Sequence, residues 1–243
     1  TLAAADGGAL PNWHAGAHVD LLLPSGRMRE YSLCGDTADR EHYRIAVRRI
    51  PDGGGGSVEV HDTLMVGDVI SIKGPRNAFP FAVPGHGSPA RRIRFVAAGI
   101  GITPILPMLA TAERFGLDWS MIYTGRTAEA IPFLDEVAAF GDRVSIRTDD
   151  VHGLPSMSDL VGPIDDDPAD LAVYCCGPVP MLEDLRRHLA TRADIELHYE
   201  RFSPPPVENG FEFTVTLAST GQEIPVAADE SALAAIRRVV PSV

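Results

Sequence analysis

Cysteine is scarce in this chain: three residues, Cys34, Cys175 and Cys176, in a length of 243. Two of them are sequence neighbours that would bridge only with marked strain, so no disulfide framework is read and a reducing, cytoplasmic setting is expected. No apolar run approaches the roughly 20 residues that span a bilayer, and no basic stretch followed by an apolar one opens the chain, so neither a membrane span nor a secretory leader is read. Positive charge is also short, 21 Lys and Arg against 33 Asp and Glu, a formal charge of −12. That balance argues against nucleic-acid or anionic-membrane partners, which need Lys and Arg to displace counterions. The eight histidines (His14, His18, His42, His61, His86, His152, His188 and His198) show no metal spacing. No Ser/His/Asp triad, no G-x-G-x-x-G fingerprint and no internal repeat appear, and there is no initiator Met, so Thr1 is not expected to be the native start.

What is present is 45% hydrophobic residues, enough for more than one core in a folded, soluble protein. Residues 1 to about 85 are rich in Gly and Pro and carry short alternating runs: HVDLLL at 18–23, YRIAVRRI at 43–50, SVEVHD at 57–62 and DVISIKG at 68–74. Read as strands between turns, they predict an antiparallel barrel. From about 91 to 202 strands alternate with helical stretches, from RIRFVAAG through WSMIYTG, RVSIRTDD and LAVYCCG to IELHYERF, which predicts βα units on a parallel sheet. Pro204, Pro205 and Pro206, followed by a polar stretch to Gly210, form a stiff linker. Beyond it, FEFTVTLASTGQEIPVAA reads as a hairpin leading to a short helix.

Four motifs carry chemistry. Arg29-Glu30-Tyr31-Ser32 supplies a cation, an aromatic face and a hydroxyl at a strand end, the set a flavin needs for its phosphate, ring and redox-active nitrogen. The same pattern also describes a polar strand end with one buried tyrosine. Ala46-Val47-Arg48-Arg49 is followed by Gly53–Gly56 and Ser57, where exposed backbone N–H groups and a hydroxyl suit a phosphate, although Gly-rich hairpin loops are often empty. Ala98-Gly99-Ile100-Gly101-Ile102-Thr103-Pro104 follows an apolar strand and opens a helix, so a dinucleotide can approach closely. Thr103 either caps that helix or touches ligand. Tyr174-Cys175-Cys176-Gly177-Pro178 again joins strand to helix, which sets Cys176 and Gly177 at the ligand-binding edge of the sheet. Adjacent strand residues point oppositely, so the cysteine pair is a poor metal site: one thiol is read beside a ligand and Cys175 as a small buried hydrophobe.

In this order and spacing REYSLC, AVRR, GGGGS, GIGITP, YTGR, YCCGP and HYERF resemble the phthalate dioxygenase reductase family of the ferredoxin reductase superfamily, over essentially the whole chain. The resemblance implies a multi-domain protein: residues 1–88 an FMN-binding Greek-key β-barrel lacking its first strand, 89–203 an NAD(P)H-binding α/β domain, 204–210 the linker, and 211–243 the N-terminal part of a plant-type [2Fe-2S] ferredoxin domain of β-grasp fold. It implies Arg29, Tyr31, Ser32, Ala46, Val47, Arg48, Gly55, Gly56 and Ser57 as FMN residues. Gly99, Gly101, Thr103, Thr124, Arg126, Cys176, Gly177 and Pro178 are implied for the nucleotide, Thr103 and Phe202 for the FMN as well, and Ser32, Thr103, Cys176 and Phe202 as the catalytic set. Phe202 matches the aromatic that covers the flavin face and yields to nicotinamide. NADH is favoured over NADPH: Arg126 suits a 2′-phosphate, but Glu129 opposes one. The implied activity is hydride uptake from NAD(P)H and one-electron delivery, through a cluster whose cysteines are expected just after Val243, to a terminal oxygenase, either Rieske-type or a cytochrome P450. A monomer is expected. A free flavin reductase and a non-catalytic flavin- or nucleotide-binding sensor are the alternatives.

Overall fold

The structure, a computed structural model, describes residues 1–83, 88–162, 170–192, 194–203 and 207–240. His86, the linker prolines Pro204, Pro205 and Pro206, and the terminal Pro241, Ser242 and Val243 lie outside the described residues. The chain divides into two compact units, Thr1–Phe202 and Ser203–Val243.

The first part of the larger unit is antiparallel. Strand β1 (Leu2–Ala3) pairs with β4 (His42–Tyr43), and β2 (Ala17–Leu22), β3 (Met28–Ser32) and β5 (Ser71–Asn77) form a sheet with β2 in the middle. Period-two alternation fixes the register: Ala17, Val19 and Leu21 enter a core with Trp13, Leu33 and Tyr43, and His18 and Asp20 occupy the other face.

Three segments differ from the sequence expectation. SVEVHD is not a strand but helix α1 (Gly56–Thr63). Val60 and Leu64, one helical turn apart, pack on the barrel core, and Glu59 accepts hydrogen bonds from the Ser25 amide at 2.7 Å and Arg27 at 3.3 Å. YRIAVRRI is a strand only at His42–Tyr43, extended by a Leu33–Ile45 bridge. Beyond it, side chains of α1 replace the strand partner, with His61 Nε2 2.7 Å from the Val47 carbonyl and Ser57 Oγ accepting from Ile50 N at 3.0 Å. DVISIKG begins its strand late, at Ser71, because Met65–Asp68 closes a turn, Asp68 N donating to Met65 O at 3.1 Å.

The second part is a five-stranded parallel sheet. Its strands are β6 (Arg92–Ala98), β7 (Asp118–Gly125), β8 (Val144–Thr148), β9 (Leu171–Cys176) and β10 (Glu196–Glu200), ordered β10-β9-β6-β7-β8. Helices α2 (Ile102–Arg114), α3 (Leu134–Ala138), α4 (Asp149–His152), α5 (Met157–Val161) and α6 (Val179–Leu189) join them. Phe95, Ala97, Met121, Tyr174 and Cys176 face α2, whereas Val96, Ile122, Val173 and Cys175 face α5 and α6. Each fully buried Leu, Ile or Phe on these faces contributes roughly 1.5–3 kcal/mol. The chain runs outward from β6 to β8, then returns to β9 on the other side of β6, so a crevice opens at the carboxyl ends of β6 and β9.

In the second unit β11 (Phe213–Thr216) and β12 (Glu223–Val226) form an antiparallel hairpin, and α7 (Ala232–Val239), capped by Ser231, packs Ala235 on Ile224 and Val226. This is the hairpin-and-helix order read from the sequence. Antiparallel sheets beside a five-stranded parallel sheet give the expected fold class.

Candidate functional site

The antiparallel and parallel parts of the larger unit are fastened together before any site is formed. Arg44 donates to both carboxylate oxygens of Glu136 at 3.0 and 2.8 Å. Phe79 and Phe81 lie 5.8 and 5.2 Å from the ring of Tyr174, whose hydroxyl accepts from Ala82 N at 3.0 Å. This junction fastens the segments after β4 and β5 to α3 and β9.

The sequence-predicted residues fall into two groups. The first surrounds the glycine run. Arg29 donates to the Gly54 carbonyl at 2.8 Å, and its stem crosses so close to Gly56 that a Cβ there would lie 2.7 Å from Cγ and 3.0 Å from Cδ. Gly55, at φ +76°, precedes the first turn of α1, whose N-terminus has no side-chain cap. An uncapped helix N-terminus beside a guanidinium fits a phosphate monoester, because its N–H groups and dipole favour negative charge. The run therefore opens a helix, not a hairpin, and Ser57 Oγ is engaged by the Ile50 amide at 3.0 Å.

The second group is the crevice. A cleft of about 500 Å³ is lined by Ala46, Val47 and Arg48 from the antiparallel part and by Gly99, Thr124, Arg126, Glu129 and Asp149 from the parallel part. Gly99 takes φ +53°. Gly101 packs so closely that a Cβ would lie 2.2 Å from the Cys176 carbonyl oxygen, which binds the loop after β6 to the loop after β9. Thr103 is buried and donates to the Ile100 carbonyl at 3.0 Å, so its hydroxyl holds the turn and does not act as the cap acceptor. Tyr123 supports the same turn through its hydroxyl, 3.0 Å from the Gly99 carbonyl. Gly177 and Pro178 carry the chain from β9 into α6.

Cys176 is fully buried at the end of β9, opposite Glu200 of β10 in the ladder. Burial, reinforced by Glu200, pushes its thiol pKa up, so it is a neutral thiol and not a thiolate. Cys175, on the opposite face, is raised by burial alone and touches only core. Ser32 Oγ donates to Glu200 Oε2 at 3.4 Å, which joins the end of β3 to the end of β10 beside the thiol. Burial pushes Glu200 up to about 7, opposed by the Ser32 hydrogen bond and assisted by Glu30.

Sequence reasoning missed Glu200, since its position inside HYERF gives no sign of burial until the β9–β10 register is known. Phe202, two residues on, is half exposed. Tyr31 is half-buried on the barrel core, where burial raises its pKa. Of the predicted residues, Arg29, Tyr31, Ser32, Gly55, Gly56, Ser57, Gly101, Thr103, Cys176, Gly177, Pro178 and Phe202 do not line the cleft. A separate groove of about 1000 Å³, between Cys34–Arg44 and helices α2 and α3, contains none of the predicted site residues. His18, Asp20 and Glu30 bring ligand atoms within 4.8 Å of one another, but Arg76 lies 2.7 Å from both Asp20 oxygens, so the cluster is an ion pair. Among the described residues, no helix is long and apolar enough to cross a membrane.

Residues 10–81 match the family model described as the oxidoreductase FAD-binding domain. The phenoxybenzoate dioxygenase subunit beta of Ectopseudomonas oleovorans is 39% identical over 231 residues, 94% of this chain and 70% of that protein. A solved phthalate dioxygenase reductase is 31% identical with a TM-score of 0.76, over 98% of this chain and 74% of that one. An intact type IV self-sufficient cytochrome P450 monooxygenase is 36% identical with a TM-score of 0.79, over 97% of this chain, which spans 30% of that protein.

Proposed function

The chain belongs to the phthalate dioxygenase reductase family, and from that membership we propose that it is the hydride-accepting part of an oxygenase reductase, using FMN and NADH. Its class, a flavin-dependent electron-transfer oxidoreductase of the ferredoxin reductase type, follows from the family. The observation that carries the reading is the convergence of Ser32, Gly101, Cys176 and Glu200 at the carboxyl ends of β6, β9 and β10. A bound flavin supplies the two-electron to one-electron conversion that joins nicotinamide to an iron–sulfur acceptor.

This chain's residues position and insulate. The uncapped start of α1, Gly55, Gly56 and Arg29 hold the FMN phosphate; Tyr31, Ala46 and Val47 face the ring and ribityl chain. Gly99, Gly101, Thr103, Thr124, Gly177 and Pro178 shape the nucleotide crevice, and Cys176 packs its neutral thiol against the nicotinamide. Ser32 and Glu200 hold a proton at the flavin edge, since a carboxyl with a pKa near 7 is half-protonated at neutral pH. Phe202, half exposed just past β10, would be the aromatic that covers a bound flavin. The glycine cradle takes a monophosphate directly, which favours FMN over FAD, and the carboxylates of Glu129 and Asp149 beside Arg126 favour NADH over NADPH.

In this reading residues 1–88 are the FMN domain, 89–203 the nucleotide domain and 204–210 the linker. Residues 211–243 begin a ferredoxin-like domain. The solved phthalate dioxygenase reductase is described as a modular structure for electron transfer from pyridine nucleotides to [2Fe-2S]. By that likeness this protein delivers single electrons to a terminal oxygenase, a Rieske-type enzyme first and a cytochrome P450 second.

Heat-released flavin is expected to have the mass of FMN, and anaerobic NADH to bleach the bound flavin within seconds, faster than NADPH. Recovery of FAD would remove the FMN assignment, and a flavin that stays oxidised would favour a binding sensor. Cys176→Ala is expected to slow bleaching about tenfold by loosening the nicotinamide slot, with FMN affinity little changed. Weakened FMN binding at an unchanged rate would make the thiol a packing group only.

A further inference from the structure

With the flavin held by the antiparallel part and the nucleotide by the parallel part, hydride transfer depends on how the two parts are set against each other. One side of that setting is apolar, Phe79 and Phe81 packing on Tyr174 of β9. The other side, toward β7 and α3, is polar. Among the described residues, the only hydrogen bonds and ion pair that join residues 1–83 to residues 99–162 are those of Arg44 with Glu136.

Arg44 reaches three segments at once. Nε and Nη2 donate to the Cys34 carbonyl at 3.0 and 2.6 Å, two residues past Ser32. Nη1 and Nη2 donate to the Glu136 carboxylate at 3.0 and 2.8 Å, and the guanidinium carbon lies 4.9 Å from the centre of the Phe133 ring. Phe133 takes φ +58°, a left-handed conformation strained for a bulky side chain, so surrounding contacts must hold the start of α3 in that shape. These anchors adjoin both walls of the cleft. Arg44 precedes Ala46, Val47 and Arg48 by two residues, and Phe133 directly follows the wall of Glu129, Ala130 and Pro132. Arg44 itself lies outside the cleft and lines the separate groove beside α2 and α3. We infer that Arg44 is a positioning residue for hydride transfer, fixing the two cleft walls relative to each other and so setting nicotinamide against flavin. Only a planar fork serves a carbonyl, both carboxylate oxygens and a ring face together. Arg44 and Glu136 are both partly exposed, so the pair adds little stability of its own and its removal leaves the fold standing.

The inference rests on the hydride-transfer reading, so rate and local mobility are measured separately, both on flavin-loaded protein. In anaerobic stopped-flow mixing with NADH, Arg44→Leu is expected to lower the limiting rate of flavin reduction about tenfold. Flavin content and the NADH concentration giving half the limiting rate change by less than about twofold, because each ligand keeps its own contacts. Arg44→Lys, which keeps the charge but not the fork, restores only part of the rate. Glu136→Gln leaves the Cys34 bonds in place, keeps the test open should Arg44→Leu fold poorly, and slows reduction about threefold. Added to Arg44→Leu it slows reduction no further, since the two side chains act as one unit. Without nucleotide, amide hydrogen exchange at 45–48 and 126–131 is expected to quicken in both walls of these variants. Limiting rates within about twofold of wild type in Arg44→Leu and Glu136→Gln overturn the inference. So does an Arg44→Leu protein that loses flavin while its loaded fraction is reduced at the wild-type rate. If neither nicotinamide reduces the wild-type flavin but exchange quickens in both walls, the clamp between the walls stands and the hydride-transfer reading falls.

Discussion

Gly101→Ala is expected to slow flavin reduction by NADH about 100-fold or more, while flavin remains bound. The added Cβ would lie 2.2 Å from the Cys176 carbonyl oxygen, 2.6 Å from its carbon and 2.9 Å from Gly177 N. All three are backbone atoms at the end of a central strand, so no rotamer relieves the contact and the two loops must separate. Misplacing reacting groups by about 1 Å costs on the order of 100-fold in rate. The flavin cradle is spared, because Arg29, Gly55 and Gly56 do not touch this contact. Neighbouring glycines calibrate the claim. At Gly177 the obstacles are the flexible end of Met181, at 2.4 Å, and the Ala98 Cβ, at 2.9 Å, with no backbone atom closer than 3.4 Å, so Gly177→Ala is expected to be milder. Gly99 has open space around it, and its only penalty is the left-handed φ of +53°, about 1 kcal/mol for a residue with Cβ. Stopped-flow flavin reduction compares the three, and a Gly101→Ala rate near wild type would mean the loops are not held by this contact.

The parallel sheet was legible because RIRFVAAG, WSMIYTG and LAVYCCG are short apolar runs that end in Gly ahead of helical stretches, and RIRFVAAG and LAVYCCG need two buried faces that only a central strand offers. Alternation also fixed the opposite facing of Cys175 and Cys176, since the period is 2 whatever the partner strand. SVEVHD was misread because Val58 and Val60 satisfy a strand pattern as readily as one turn of helix. The decision lies in Glu59 reaching Ser25 and Arg27, thirty-odd residues away. Glu200 stayed hidden for the same kind of reason: its neighbours Ser32 and Cys176 are distant in sequence, and only the strand order brings them together.

Glu200→Gln is expected to make the protein more stable at pH 8 and scarcely to change it at pH 5. The carboxyl is raised from 4.5 to about 7, first by burial, next opposed by the Ser32 hydrogen bond, then raised by Glu30. A group that holds its proton more tightly when folded contributes stability that is fully present below the unfolded value. That contribution is lost as pH rises through the folded one. Between pH 5 and 8 wild type therefore loses on the order of 2–3 kcal/mol from this group alone, whereas a glutamine amide does not titrate and can still accept from Ser32. The gap should appear in urea melts as a midpoint difference that opens across pH 5–8. The same proton matters to turnover, because an ionised Glu200 puts negative charge beside the thiol and the flavin edge where electrons arrive. Wild-type flavin reduction should slow as pH passes about 7, and the step should vanish in Glu200→Gln. Bound flavin covers the carboxyl further, so the loaded protein should show this step at higher pH than the apoprotein's stability midpoint. A step that persists in Glu200→Gln would assign the titration to another group at the crevice, and identical melts at pH 8 would mean that water reaches this carboxylate freely.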